Sequence, residues 1–458
     1  MELKNKRVLV VGLGKSGMAA ALFLRDQGAR VTVSDTRSAV ALQAEIPTLL
    51  DAGIMIETGG HGLLTFRRQD LIVVSPGVPF DTPELKQVRA YGSLGPPIIG
   101  ELELASRFLE GKVVAITGSN GKTTATALLG KIFADAGGPT LVGGNIGTPV
   151  IDLIPQSTPE TVSVLEVSSF QLETVEEFHP HIAVVLNITP DHLDRHGTFE
   201  NYAAMKARIT ARQGPEDFLV LNAEDPPTQM VAAKTRAQVF WFSGRRPIKQ
   251  GAFVHGESVL FIPREGTRPE PILPVAEISL KGAHNVENVL AAVCAARLGG
   301  VPAESIRASV ANFKAVEHRL EYVATVRGVE YYNDSKATNV DATRKALEAF
   351  KGGVHLILGG KDKNSDYTEL NDLLRERCKS VATIGSAAEK IERQLAGVVK
   401  IVSAGTLDAA LRMAAHDATA GDVVLLAPAC SSFDQFENYE QRGRVFKDLV
   451  RQLLAVSS

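Results

Sequence analysis

A glycine loop, a lysine and two hydroxyls stand together in Thr117-Gly118-Ser119-Asn120-Gly121-Lys122-Thr123-Thr124. That combination suits a triphosphate. Backbone N–H groups and a helix N-terminus face the phosphates, Lys122 brings a point charge, and Thr123 can reach Mg²⁺. The loop departs from the Walker pattern, because the first glycine falls at Gly118 and Ile116 stands where that pattern has one. An ordinary glycine turn capping a helix is the alternative reading.

Glu166 follows an apolar run, where an unpaired carboxylate is costly and a cation is a natural partner. Magnesium takes oxygen ligands, so Thr123 with Glu166 makes a coherent pair; a salt-bridged surface glutamate is the alternative. Asp191-His192 and His196 form a tight cluster, open between one histidine beside a hard cation and hydrogen-bonded structural histidines. Lys206 falls on the apolar stripe of a helix predicted over Phe199 to Arg212, with Phe199, Tyr202 and Ile209. Burial there favours a neutral, nucleophilic amine, whereas snorkelling leaves an ordinary ammonium. Cys430, within Pro428 to Phe436, reads as a nucleophile or a small buried thiol, and no base is placed for it.

These residues need strands that end where they begin. Val113 to Ile116 makes a strand before the loop, and Thr124 to Phe133 a helix after it. Val162 to Leu165 leads into Glu166, and Ala183 to Asn187 into the Asp-His cluster, which puts polar groups at the edge where open parallel sheets bind ligands. Upstream, the strand Val8 to Val11 runs into Gly12, Gly14 and Gly17, a G-x-G-x-x-G fingerprint. The strand Arg30 to Ser34 ends at Asp35, where an acidic residue meets a ribose hydroxyl, and Leu71 to Val74 ends in Ser75-Pro76-Gly77. A third unit begins near Glu317, with strands Val354 to Leu358 and Val423 to Leu426. Its last helix carries Val445, Phe446, Leu449, Val450, Leu453 and Leu454 on one core-facing stripe.

A length of 458 residues predicts roughly three domains. With 45% hydrophobic and 22% charged residues the chain is globular, and a net charge of −3 argues against nucleic acid as a partner. No apolar run is long enough for a membrane span or a signal, so a cytoplasmic protein without membrane insertion is expected. Cys294, Cys378 and Cys430 form no CxxC pair, which argues against a disulfide framework or zinc site.

The run from Thr117 to Thr124, together with Gly143 to Gly147, Glu166 to Leu172, Asp191-His192, Gly282 to Asn285 and His318-Arg319, resembles the Mur ligases, ATP-dependent amide-forming enzymes of peptidoglycan synthesis. Asn333 to Asn339, Gly359-Gly360-Lys361-Asp362-Lys363 and Ser431 to Phe436 resemble the branch that adds D-glutamate to UDP-N-acetylmuramoyl-L-alanine. Branches adding later residues usually carry Asp-Tyr-Ala-His-Thr-Pro where this chain has Asp334 to Asn339.

The resemblance implies an α/β protein of three domains. These are a Rossmann-like UDP-substrate domain (1–100), a P-loop ATPase-like central domain with a mainly parallel sheet (101–315) and a Rossmann-like amino-acid-binding domain (316–458). It implies ATP on Gly118, Ser119, Asn120, Gly121, Lys122, Thr123, Thr124, Asn285, Arg319 and Asp334. The UDP substrate falls to Leu13, Gly14, Lys15, Ser16, Asp35, Thr36, Arg37, Ser75, Gly77, Asn145 and His192. D-glutamate falls to Thr338, Lys363, Ser432 and Tyr439, the last a phenylalanine in relatives. Magnesium is implied on Thr123, Glu166, His192 and Lys206, the lysine as an N-carboxylated carbamate; Lys122, Glu166, His192 and Lys206 are the implied catalytic set. A monomer acting through an acyl phosphate follows, with closure of the third segment onto the second. The alternatives are a related Mur-type or folylpolyglutamate-type ligase with another acceptor, a dinucleotide-dependent oxidoreductase using Gly12 to Gly17 and Asp35, and a nucleotide switch that hydrolyses ATP without an acceptor.

Overall fold

The computed structural model describes residues 1–280, 282–314 and 316–457. Three sheets organise them. Five short, mostly buried strands, β1 (Arg7–Val11), β2 (Arg30–Asp35), β3 (Met55–Thr58), β4 (Leu71–Val74) and β5 (Ile98–Gly100), form an all-parallel sheet of order β3-β2-β1-β4-β5. The order reverses between β1 and β4, so the turns after these two strands flank one crevice, the position where such sheets take ligands.

The second sheet has nine strands: β6 (Lys112–Thr117), β7 (Thr140–Gly144), β8 (Val162–Glu166), β9 (Ile182–Val185), β10 (Phe218–Asn222), β11 (Gln238–Ser243), β12 (Gly251–His255), β13 (Ser258–Ile262) and β14 (Glu270–Pro274). Their order is β14-β13-β12-β11-β10-β9-β6-β8-β7, with β6 to β12 paired in parallel. Central β6 lies between β8 and β9, so the loops after all three open at the same edge. The third sheet, β15 (Glu321–Val326), β16 (Val329–Asn333), β17 (Val354–Gly359), β18 (Cys378–Ile384), β19 (Lys400–Gly405) and β20 (Val423–Leu426), runs β15-β16-β20-β17-β18-β19. It is parallel except for the β15–β16 hairpin. Strands buried on both faces read as unbroken apolar runs, as β4 (LIVV) and β20 (VVLL) do.

The expected α/β architecture is therefore present, with differences at element ends. The helix expected over Phe199 to Arg212 stops at Ala207 and continues as a 3-10 turn, Arg208–Thr210. In the last helix, Tyr439–Ser457, Phe446 and Val450 are fully buried and Val445, Leu449 and Leu453 pack beside them, but Leu454 is 43% exposed, so the stripe is narrower than the sequence pattern. Met1–His255, Val259–Ile272 and Leu290–Ser309 pack as one compact unit; Gly256–Ser258, Leu273–Val289 and the chain from Val310 onward pack as a second. No helix among the described residues is long and apolar enough to cross a membrane.

Candidate active site

In the first unit, β6 delivers the chain into the glycine loop. Gly121, at φ +86°, caps the helix Lys122–Asp135 in a left-handed conformation open to glycine at little cost. The loop is pinned from β9: Ser119 N–H donates to Asn187 O (2.9 Å) and Asn120 N–H to Asn187 Oδ1 (2.9 Å), while Asn187 Nδ2 returns a bond to Asn120 O (3.1 Å). Lys122 Nζ donates to the carbonyls of Gly118 (2.8 Å) and Ser119 (2.9 Å), which folds its charge over the loop.

Glu166 ends β8 and is 1% exposed. Its Oε2 accepts from Thr123 Oγ1 (2.8 Å), its Oε1 from Asn145 Nδ2 (2.8 Å), and its carbonyl from Asn145 N–H (2.8 Å). Lys206 is buried, not snorkelling, with Nζ donating to Gly118 O at 2.7 Å and lying over the Tyr202 ring at 4.7 Å. Burial and the Lys122 cation hold its amine well below the ordinary lysine range, with Asp191 and Glu166 opposing. Lys122, Thr123, Asn145, Glu166 and Lys206 thus converge on one loop.

His192 stands in the left-handed region (φ 51°) at the head of the turn Leu193–His196, its Nε2 3.7 Å from the Asp191 carboxylate and its ring edge-on to Phe170 at 4.9 Å. His196 has a structural place: Nε2 meets Ser169 Oγ at 3.0 Å, and its ring stacks on Phe170. Among the described residues no group of three or more His, Cys, Asp and Glu side chains could hold a metal. Magnesium does not require one, since it is commonly held by one or two carboxylates together with substrate phosphates, and the Thr123 hydroxyl and Glu166 carboxylate supply hard oxygens at hydrogen-bond distance from each other. The donor set fits that ion.

At the crevice of the first sheet, Asp35 Oδ2 accepts from Leu13 N–H (2.7 Å) and Oδ1 from Arg37 N–H (2.8 Å), while Arg37 Nη2 reaches Leu13 O (3.0 Å). The carboxylate that the fingerprint assigns to a ribose therefore holds the loop Gly12–Ser16 in shape. Burial works against its charge, but Arg37 and the two N–H groups hold its pKa below the usual carboxylate range. Ser75 Oγ donates to Gly12 O at 2.7 Å, joining the turns after β1 and β4. Gly17 allows this approach, because a Cβ there would stand 1.9 Å from Gly12 O.

The second unit collects another set. Asp334 follows β16, is buried, and has its carboxyl pushed up to about 6 by burial, with Arg319 opposing. Asn285 Oδ1 accepts from Asn288 Nδ2 (3.1 Å), and the neighbouring His284 is brought down to about 4 by burial with Lys345 and Arg319 nearby. Tyr439 meets His318 edge-on, and Lys336 Nζ lies 4.9 Å from its ring centre. Lys363 and Ser432 sit on the loops after β17 and β20, which a two-way bridge between Lys361 and Ser431 links.

Sequence reasoning passed over several residues. Arg442 is fully buried and joins two loops, giving Nε to Ser335 Oγ (2.9 Å), Nη2 to Ser335 O (2.7 Å) and Nη1 to Cys430 O (3.2 Å); burial brings its guanidinium down to about 10. Cys430 is itself a buried thiol, pushed up to about 11 and bonded to Tyr367 Oη at 2.9 Å. Asn187 and Arg195 were equally silent. No periodicity marks a buried arginine or asparagine whose partners are distant carbonyls, whereas Tyr202 was visible as a member of the Lys206 stripe.

Three α/β sheets with ligand-type residues at their carboxyl edges, one bearing a phosphate loop next to a buried carboxylate and lysine, define the class: a nucleotide-using α/β enzyme built from several modules. Family models agree in detail. The Mur ligase MurD-like N-terminal domain matches residues 6–100, the Mur ligase middle domain 116–296 and the Mur ligase glutamate ligase domain 318–430. The chain belongs to the Mur ligase family. It is 67% identical over 450 residues to the UDP-N-acetylmuramoylalanine--D-glutamate ligase of Acidobacterium capsulatum, covering 98% of this chain and 97% of that one. It is 61% identical over 453 residues to the enzyme of the same name from Koribacter versatilis, covering 99% of each. The fold is similar to that of MurF ligase from Thermotoga maritima, solved in complex with ADP: TM-score 0.61, 17% identity, 100% of this chain and 97% of that one.

Proposed function

We propose that this chain joins D-glutamate to UDP-N-acetylmuramoyl-L-alanine at the expense of ATP, in peptidoglycan precursor synthesis. The observation that carries this reading is end-to-end similarity, at 67% and 61% identity, to two enzymes named for that ligation. The phosphate loop supports it, since a carboxylate is a poor electrophile and needs activation before an amine can capture it.

In the first step the alanyl carboxylate oxygen attacks the γ-phosphorus and the bond to ADP breaks, giving an acyl phosphate. Lys122 and the N-terminus of the helix Lys122–Asp135 face the charge that develops there. In the second step the D-glutamate nitrogen attacks the acyl carbon, phosphate leaves, and the nitrogen loses a proton. Thr123, Glu166, His192 and Lys206, the last after its neutral amine adds CO₂ and releases a proton to become a carbamate, would hold magnesium. When bound, that ion neutralises phosphate charge. Leu13 to Ser16, Asp35 to Arg37, Ser75, Gly77, Asn145 and His192 are assigned to the UDP substrate, Asn285, Arg319 and Asp334 to ATP, and Thr338, Lys363, Ser432 and Tyr439 to D-glutamate. The domain division at 100 and 315, a monomer and a cytoplasmic location belong to the same proposal.

The test is phosphate release with ATP, Mg²⁺ and UDP-N-acetylmuramoyl-L-alanine, comparing D-glutamate, L-glutamate, D-alanine and meso-diaminopimelate. Release dependent on D-glutamate alone is expected. Release indifferent to the amino acid would leave a nucleotide switch, and preference for another acceptor a different ligase.

A further inference from the structure

We propose that Arg195 is a positioning residue for the nucleotide substrate, one that anchors the main chain of the turn Ser75-Pro76-Gly77 to the elements surrounding the phosphate loop. The inference rests on the reading above that this turn handles the UDP substrate.

The geometry is specific. Arg195 Nη1 donates to Pro76 O (3.2 Å) and Nη2 to Val78 O (3.0 Å), so both carbonyls flanking Gly77 are held by one side chain. The other edge of the guanidinium meets the Glu173 carboxylate, Nε at 3.1 Å and Nη2 at 2.5 Å, and its face lies 4.4 Å from the centre of the Phe170 ring. Arg195 is 14% exposed and Glu173 11%, so the pair is shielded from solvent and held on several sides.

Main-chain carbonyls are the acceptors, so Arg195 sets where the turn lies and not what its side chains are. Because Ser75 Oγ also bonds Gly12 O, a displaced turn carries the Gly12–Ser16 loop with it, and both sides of the crevice between β1 and β4 shift. The other end of the linkage is equally close to chemistry. Phe170, beneath the guanidinium, meets His192 edge-on, and Arg195 and His192 share the turn Leu193–His196 and its N-terminal cap. One planar guanidinium thereby keeps the substrate turn in register with the Asp191-His192 cluster. Lysine, with a single ammonium, cannot serve two carbonyls and a bidentate carboxylate at once.

The experiment compares wild type, Arg195→Lys, Arg195→Met and Glu173→Gln in full-length protein, with kcat, KM for each of the three substrates, calorimetric Kd for the UDP substrate and for ATP, and melting temperature. Expected is a rise of roughly tenfold or more in KM and Kd for the UDP substrate in both arginine variants, as fits the loss of charge-assisted bonds to two carbonyls. A smaller rise is expected for Glu173→Gln, which keeps the shape but weakens the grip, and ATP affinity stays within about twofold of wild type throughout, below the loss that one charge-assisted bond would bring. Parallel loss of both affinities with a fall in melting temperature would mean a merely structural residue and overturn the proposal. So would an unchanged KM for the UDP substrate. A wild-type chain that neither binds nor turns over the UDP substrate would instead overturn the functional reading, and this inference with it.

Discussion

Lys122 shows how one side chain connects loop geometry to rate. Its Nζ is held by the carbonyls of Gly118 and Ser119, which keeps the charge over the loop where phosphate charge would develop. Lys122→Ala is expected to lower the rate of phosphate release by roughly a thousandfold, the effect of removing a preorganised electrostatic contact. Its melting temperature should stay near that of wild type, because the residue closes no apolar core; undiminished turnover would remove the loop from the mechanism. At this scale the sequence was legible where residue type alone restricts the chemistry, as in Gly-Lys-Thr, or where a charged residue falls on an apolar stripe, as Lys206 does. It was illegible for Asp35. The fingerprint places an acid at the end of β2, but only coordinates reveal that both its oxygens accept bonds from Leu13 and Arg37.

Elements set the next level of constraint. The short helix Glu101–Ser106 begins directly after β5 with two buried carboxylates. Glu103 is well served, its oxygens accepting from the N–H groups of Glu176, Glu177 and Phe178 and from Arg107. Glu101 is bonded to the Ile151 N–H (2.9 Å), and burial, with Asp152 nearby, pushes its carboxyl from an ordinary value of 4.5 to about 7. A carboxyl raised on folding binds its proton more tightly in the folded state. Its contribution is therefore complete below about pH 4.5 and is lost as pH rises through about 7, an effect of a few kcal/mol. Glu101→Gln should flatten the fall in urea midpoint between pH 5 and pH 8; an unchanged slope would show that the carboxyl does not titrate in that range. Strand cores were readable because parallel strands buried on both faces are continuous apolar runs. Helix ends were not: whether the chain after Ala207 continues as α-helix or tightens to 3-10 depends on packing that no period encodes.

For the molecule as a whole, two compact units with their own buried apolar clusters predict unfolding that is not a single cooperative event. Scanning calorimetry should give a total enthalpy larger than the van't Hoff value. A ratio of one would contradict this. Individual strands and the turns after them were legible from strand–turn–helix spacing and the three-part α/β architecture from the family resemblance, but the strand orders, on which the placement of every loop depends, were not, since pairing partners far apart in sequence leave no local mark. In the third sheet the order places β20 between β16 and β17, so the segments beginning at Asp334, Gly360 and Ala427 emerge side by side above a central strand, β20, that is wholly apolar. The first and last of those segments are themselves buried and tied together by Arg442, so a descendant that rewrote one of them would have to keep the guanidinium's three bonds to Ser335 and Cys430 or lose the junction.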